Sequence, residues 1–187
     1  LADITGVKEN DKILEIGCGW GGFSSFLAKK YSANVTAITI SKKQYDKAKQ
    51  KIFEDKLTDK VDVKLLDYRN ISGKYDKIVS IEMFEAVGEK YWSKYFDVLK
   101  KNLKTDGSIG LQTITIEDKF FQKYKKFPDF IQTYIFPGGM LPSVEEMNKV
   151  ITSRGLHIKN KKMFGNDYAK TIRIWSESFE NSWGCIK

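Results

Sequence analysis

Short apolar runs alternate with helical patterns along most of the chain. The strand-like runs are residues 12–17, 34–40, 61–66, 77–81 and 108–116. The helical patterns between them are residues 21–31, 41–53 and 91–103, and the last of these is followed by a predicted turn at 104–107. Such alternation is typical of βαβ units with right-handed crossovers. The pattern therefore predicts an α/β fold, a mostly parallel sheet with flanking helices.

Two of the predicted helices carry local signals. In the first, Phe23, Phe26 and Leu27 recur on one face. In the second, Ser41 is placed to cap the N-terminus, and Gln44 follows in the first turn.

The alternation is interrupted at residues 117–142, an aromatic stretch that contains all three prolines. A connection of this length usually has a function, and we interpret it as a substrate-side insertion or lid. The alternative is a helix packed on the sheet edge. Beyond it, the pattern predicts a helix at 144–153, a strand at 156–163 and a helix at 167–183.

Composition limits the class of protein. The chain has 187 residues, 41% of them hydrophobic and 13% aromatic, which suits one domain, 1–187, and excludes disorder as its main state. No apolar run of about 18 residues predicts a membrane span. The first residues lack the pattern of a signal peptide. Cys18 and Cys185 form no disulfide framework, which favours a cytoplasmic protein.

The formal charge of +8 leaves three interpretations open. Lysines are spread along the whole chain, and the only arginines are Arg69, Arg154 and Arg173. Proteins that recognise nucleic acid usually depend on arginine for contacts with bases and phosphates, so we expect no nucleic-acid partner. The lysines serve either solubility or attraction to an anionic membrane surface.

A glycine-rich turn, EIGCGWGG, joins the first strand to the first helix. Such turns present backbone N–H groups and a helix N-terminus to a ligand. The spacing of Gly17, Gly19 and Gly22 also fits a dinucleotide site, but the second strand ends in Thr-Ile-Ser and has no acid for a ribose. Glu15 precedes the turn, as in enzymes that bind the methionine portion of S-adenosylmethionine.

Seven segments together resemble the cyclopropane-fatty-acyl-phospholipid synthases, a family that includes the mycolic acid cyclopropane synthases. The segments are LEIGCGWGGF, VTAITISKKQ, DYRN, YDKIVSIEMFEAVG, LQTITI, DFIQTYIFPGGMLPS and FGNDYAKTIRIW. The resemblance implies the Rossmann-like class I methyltransferase fold and S-adenosylmethionine as cofactor, without a metal. The cofactor-binding residues it implies are Glu15, Gly17, Gly19, Trp20, Gly21, Thr39, Ile40, Ser41, Gln44, Tyr68 and Arg69.

The family also uses a bound bicarbonate ion as a base. Its ligands match four residues of this chain, Cys18, Glu85, Ile114 and Tyr168. A fifth catalytic position departs from the best-known members, since Gln112 stands where they have histidine. Glutamine donates an N–H but takes no proton at neutral pH. The product therefore stays open between a cyclopropane ring and a simple methyl or methylene branch.

The resemblance implies transfer of a one-carbon unit to the cis double bond of an unsaturated phospholipid acyl chain, at the membrane surface. In the insertion, aromatic residues from Phe120 to Phe136 could line an acyl tunnel. The alternatives are N-methylation of a small amine and a cofactor-binding remnant without activity. Family members are longer at both ends, so we expect this chain to be a fragment, with an unpaired sheet edge that favours association into homo-oligomers.

Overall fold

The computed structural model describes residues 1–186, which fall into two compact units, one from Leu1 to His157 and one that begins at Ile158. The first unit is built on five strands: β1 Lys12–Ile16, β2 Asn34–Thr39, β3 Val61–Leu65, β4 Tyr75–Ile81 and β5 Leu103–Gln112. All neighbouring strands pair in parallel, in the order β3-β2-β1-β4-β5. The predicted α/β fold with a parallel sheet is confirmed.

Helices cover both faces of this sheet. They are α1 Ala2–Thr5, α2 Gly22–Tyr31, α3 Lys42–Glu54, α4 Trp92–Asn102, α5 Asp118–Lys126 and α6 Val144–Ser153. One hydrophobic cluster joins β1 and β4 to α4, and Trp92, Tyr95, Phe96 and Ile78 are all buried in it. The other joins the strands to α2 and α3. The carboxyl ends of the strands therefore form an edge between two packed helical layers.

Two expectations about strands are wrong. Residues 104–107 form no turn between elements, because β5 already pairs at Leu103 and the residues bulge between its pairings with Tyr75 and Lys77. Residues 156–163 form no strand, and the backbone N–H groups of 157–163 have no backbone partner among the described residues. A strand requires a neighbour for its hydrogen bonds, whereas β5 is the edge of the described sheet.

The 117–142 insertion is partly helical. α5 buries Phe121 in the first hydrophobic cluster, and the hydroxyl of Tyr124 accepts a hydrogen bond from the Leu141 N–H at 3.4 Å. A π-helical turn follows at Ile131–Ile135. A bridge between Ile116 and Ser143 joins the two ends of the insertion, so the segment leaves the sheet and returns at one place.

The second unit contains one long helix, α7 Gly165–Ile186. The prediction of a helix at 167–183 is confirmed and extended by a few residues at each end. None of the helices within residues 1–186 has both the length and the apolar character that a bilayer span requires.

Candidate active site

The glycine turn lies at the carboxyl end of β1, and β2 holds it in place. The N–H groups of Gly17 and Cys18 both donate to the carbonyl of Ile38 at 3.0 Å. Gly17 has a φ of +79°, and a Cβ there would lie 2.8 Å from Cγ of Met83. At Gly19, with a φ of +52°, a Cβ would meet no atom within 4 Å. Protein packing thus requires Gly17, while Gly19 leaves the turn open to a ligand.

Glu15 is the buried acid beside this turn. Its side chain is 3% exposed and accepts a hydrogen bond from the Ser24 hydroxyl at the start of α2. Burial raises the pKa of the Glu15 carboxyl to about 7, and the bond from Ser24 lowers it in part. A cationic group bound nearby would favour the ionised carboxylate.

The end of β2 positions the next group of predicted residues. Ser41 caps α3, since its hydroxyl accepts the Gln44 N–H at 3.4 Å, and this prediction is confirmed. The Thr39 hydroxyl donates to Oε1 of Gln44 at 2.8 Å and accepts the Ser41 N–H at 3.1 Å. Ile40 is 77% exposed between them. The loop is therefore ordered by its own polar contacts and presents an apolar side chain outward.

Tyr68 and Arg69 lie just beyond β3, in a short 3₁₀ turn at Tyr68–Asn70. The Tyr68 ring meets that of Tyr95 edge to face, with centroids 5.2 Å apart. Arg69 Nε donates to Oδ1 of Asp67 at 2.9 Å, and the guanidinium lowers the pKa of the Asp67 carboxyl. Asp67 also accepts the Arg69 N–H and so begins the turn. Arg69 is thus engaged with a neighbouring acid.

Glu85 and Ile114 come together where β4 and β5 end. The Ile114 N–H donates to Oε1 of Glu85 at 2.6 Å. The other carboxyl oxygen, Oε2, is buried and has no hydrogen-bond partner among the described residues. A buried acceptor of this kind is costly without a donor. Glu85 therefore offers one free acceptor to a ligand that carries an O–H or N–H group.

Gln112 ends β5 and is held by Glu82, which follows β4. Nε2 of Gln112 donates to Oε1 of Glu82 at 3.1 Å, and the Glu82 N–H donates to the Gln112 carbonyl at 2.9 Å. Glu82 has a φ of +49°, a conformation that non-glycine residues seldom adopt. This strained residue fixes the amide of Gln112.

Two other predicted residues, Cys18 and Trp20, form no hydrogen bond with Glu85 within residues 1–186, and a third, Tyr168, belongs to the second unit. Cys18 is buried in the cluster of α2 and α3, whereas Phe84, the neighbour of Glu85, belongs to the other cluster. Burial raises the pKa of the Cys18 thiol to about 12. Trp20 is 60% exposed in the glycine turn, and Tyr168 is half-buried in α7 of the second unit. Their roles stay predictions.

Sequence reasoning missed Ser24, Asp67 and Glu82. Ser24 and Asp67 had a weak signal, since a serine in the first turn of a helix and an acid just after a strand both commonly form hydrogen bonds with nearby backbone or side-chain groups. Glu82 had none, because its conformation and its contact with Gln112 appear only in the fold.

Known proteins resemble this chain in sequence and in fold. The model of the mycolic acid cyclopropane synthetase family matches residues 1–187. The tuberculostearic acid methyltransferase UfaA1 of Mycobacterium tuberculosis is 35% identical over 180 residues, 96% of this chain and 42% of the relative. The cyclopropane-fatty-acyl-phospholipid synthase of Escherichia coli K12 is 35% identical over 179 residues, 95% of this chain and 44% of the relative.

A solved structure agrees with these matches. Mycolic acid cyclopropane synthase CmaA1, complexed with SAH and CTAB, superposes with a TM-score of 0.88 at 29% identity, covering 96% of this chain and 66% of that one. The sheet and its glycine turn thus define the class I methyltransferase fold. The chain belongs to the mycolic acid cyclopropane synthetase family. It spans less than half the length of the two curated relatives.

Proposed function

We propose that the protein is an S-adenosylmethionine-dependent methyltransferase that acts on the cis double bond of an unsaturated phospholipid acyl chain and forms a cyclopropane fatty acid. The observation that carries this proposal is the family match across residues 1–187. We place the reaction on the cytoplasmic side, at the surface of a membrane, where such chains are found.

We propose that the cofactor binds at the carboxyl ends of the strands, beside Gly19. The open face of this glycine admits a ligand, and Glu15 supplies a carboxyl for a cationic group. Tyr68 and the loop from Thr39 to Gln44 border the same edge. S-adenosylmethionine, when bound, supplies an activated methyl group.

The chemistry also requires a base. A bond forms between one alkene carbon and the transferred methyl carbon while the carbon–sulfur bond breaks, and the other alkene carbon becomes cationic. A proton then leaves the new methyl group, and its C–H electron pair closes the ring. The base must lie within hydrogen-bond reach of that proton.

The contacts of Glu85 are compatible with a bicarbonate ion bound as the base at the carboxyl ends of the strands. Its unpartnered Oε2 can accept the O–H of bicarbonate, and Oε1 is already fixed by the Ile114 N–H. We propose that Glu85 orients the ion, with Cys18, Ile114 and Tyr168 as further ligands from the family pattern.

A second candidate is transfer of a methyl or methylene branch without ring closure. The observation behind it is Gln112, which stands where the best-known members of the family have histidine and which donates an N–H without taking a proton at neutral pH. One relative at 35% identity is named tuberculostearic acid methyltransferase.

Labelled cofactor tests the proposal. We expect the protein, incubated with methyl-labelled S-adenosylmethionine and unsaturated phospholipid, to transfer label to the lipid and to add roughly 14 mass units per acyl chain, the mass of CH₂. Resistance of the product to hydrogenation would identify a ring, and a reducible product would identify an alkene branch. Glu85→Gln should bind cofactor normally and lose about 100-fold in turnover.

Other outcomes would contradict the proposal. Tight cofactor binding without turnover in the unaltered protein would indicate a cofactor-binding remnant. Label in a small amine, and none in lipid, would indicate N-methylation.

A further inference from the structure

The outer part of the insertion, residues 127–136, exposes an unusual amount of apolar surface. We call this segment the aromatic arm. Six of its residues are large, apolar and between 50% and 71% exposed. They are Phe127, Phe130, Ile131, Tyr134, Ile135 and Phe136. Exposed apolar side chains are ordinary when they are scattered, but a contiguous group marks an interaction surface.

The arm is shaped by hydrogen bonds of its own. The Asp129 carboxylate accepts the Gln132 N–H at 2.8 Å, and the Phe136 N–H donates to the Ile131 carbonyl at 2.8 Å. The side chain of Gln132 donates to the Gly139 carbonyl at 3.3 Å. A segment that enters lipid must satisfy its backbone groups internally. The arm meets much of this requirement while its apolar side chains face outward.

Lysines stand beside the apolar surface. Lys123, Lys125 and Lys126 occupy the last turn of α5, immediately before Phe127. Lys125 pairs with Glu89 at 2.6 Å, whereas Lys123 and Lys126 form no ion pair within residues 1–186. The only acid of the arm, Asp129, is engaged with Gln132. Aromatic side chains next to free lysines are typical of segments that bind the interface of an anionic bilayer.

The arm is also connected to the candidate active site. Beyond Gly139 the chain returns to the sheet, and the Met140 N–H donates to the carbonyl of Glu85 at 2.8 Å. Only three residues therefore lie between Phe136 and Met140, which contacts Glu85 directly. A bilayer bound by the arm would hold its acyl chains close to that residue.

We propose that the aromatic arm docks the protein on an anionic phospholipid bilayer, with its aromatic side chains in the interface and Lys123 and Lys126 against the headgroups. This inference rests on the proposed function for its choice of occupant. The free lysines favour lipid over a second copy of this chain, because the chain carries a net charge of +8 and a second copy would bring like charge to the lysines.

Vesicle sedimentation tests the docking surface. The probes are vesicles of phosphatidylglycerol and of phosphatidylcholine, and the variant is Phe130→Ser with Phe136→Ser. We expect binding to phosphatidylglycerol vesicles to weaken about tenfold or more, since each phenylalanine loses apolar burial. Phe53→Ser is the single-site control, because Phe53 is slightly more exposed than either phenylalanine but lies on α3. It should bind as the unaltered protein does.

A second double variant tests how much the charges of the two lysines contribute to vesicle binding. Lys123→Gln with Lys126→Gln should weaken binding to the anionic vesicles about fivefold per lysine at low salt. The control Lys159→Gln with Lys161→Gln makes the same change in net charge at residues that belong neither to α5 nor to the arm and should have little effect. Equal losses in both pairs would overturn the arm as the site of attraction.

These experiments distinguish a failure of the docking proposal from a failure of the proposed function. Vesicle binding that depends on the arm, without label transfer to any lipid, would contradict the proposed function and leave docking intact. Label transfer with vesicle binding indifferent to the phenylalanine variants would overturn docking alone. A change of oligomeric state in those variants, with vesicle binding unchanged, would assign the arm to a second copy and would also overturn it.

Discussion

Glu15 shows how one buried residue couples stability to pH. Its pKa is about 7 in the folded protein and 4.5 in a model peptide, because burial disfavours the charged carboxylate. Between these values the folded state holds a proton that the unfolded chain has lost. The free energy of unfolding therefore falls as the pH rises from about 4.5 to 7, by about 3 kcal/mol, and stays low above that range.

Glu15→Gln should remove this dependence. We expect the variant to be about 1–3 kcal/mol more stable than the unaltered protein at pH 8, with little gain at pH 4.5, in urea unfolding. It should also bind S-adenosylmethionine more weakly if Glu15 faces the cationic part of the cofactor. Glu9→Gln, at an exposed site, is the control. An identical pH profile in both variants would show that Glu15 is not the coupled group.

Glu82 is a positioning residue in our interpretation, since it acts through Gln112. Glu82→Gly relieves the positive φ but removes the acceptor of the Gln112 amide. We expect kcat to fall about tenfold with KM for the cofactor nearly unchanged, because a loosened side chain costs catalysis more than binding. Glu82→Gln keeps an acceptor oxygen and should restore most of the activity. Equal activity of the two variants would contradict the proposal that Glu82 positions the Gln112 amide.

At the scale of elements, the sequence predicted well wherever local chemistry decides the outcome. The Ser41 cap and the strand–turn–helix at the glycine turn follow from residue types alone. The apolar face of α2 is not its whole buried face, because Phe26 is exposed whereas Ser24 and Ser25 are buried. The hydroxyls of Ser24 and Ser25 donate to Glu15 and Asp55, which lie on other elements. Hydrophobic periodicity does not reveal such partners.

The glycine turn allows a matched test of packing. Gly21 has a φ of +80°, and a Cβ there would lie 3.2 Å from Cβ of Ala48 on α3. Gly21→Ala should therefore destabilise the fold by about 1–3 kcal/mol. Gly22→Ala is the control, because its Cβ would meet nothing within 4 Å, and alanine in a helix should stabilise by up to about 1 kcal/mol. Equal unfolding midpoints in urea would contradict this account.

At the scale of the whole molecule, net charge and apolar surface oppose each other. The chain carries +8, which repels further copies and is screened by salt. Apolar side chains are exposed on α7 as well as on the aromatic arm, among them Ile174, Trp175 and Phe179. β5 is the edge of the described sheet, and unpaired edges favour association. Self-association should therefore change with ionic strength. The sign of the change identifies whether apolar or ionic contacts hold the copies together.

We expect this 187-residue chain to form homo-oligomers more readily as salt rises from about 20 to 300 mM, because screening of the net charge removes repulsion while apolar contacts persist. Sedimentation velocity at several protein concentrations measures this. Trp175→Lys should reduce association at high salt, since it removes apolar surface from α7 and adds charge. Phe53→Lys adds the same charge on α3, so an equal reduction would assign the effect to net charge alone. Association that weakens with salt would instead indicate ionic contacts between copies and contradict the apolar account.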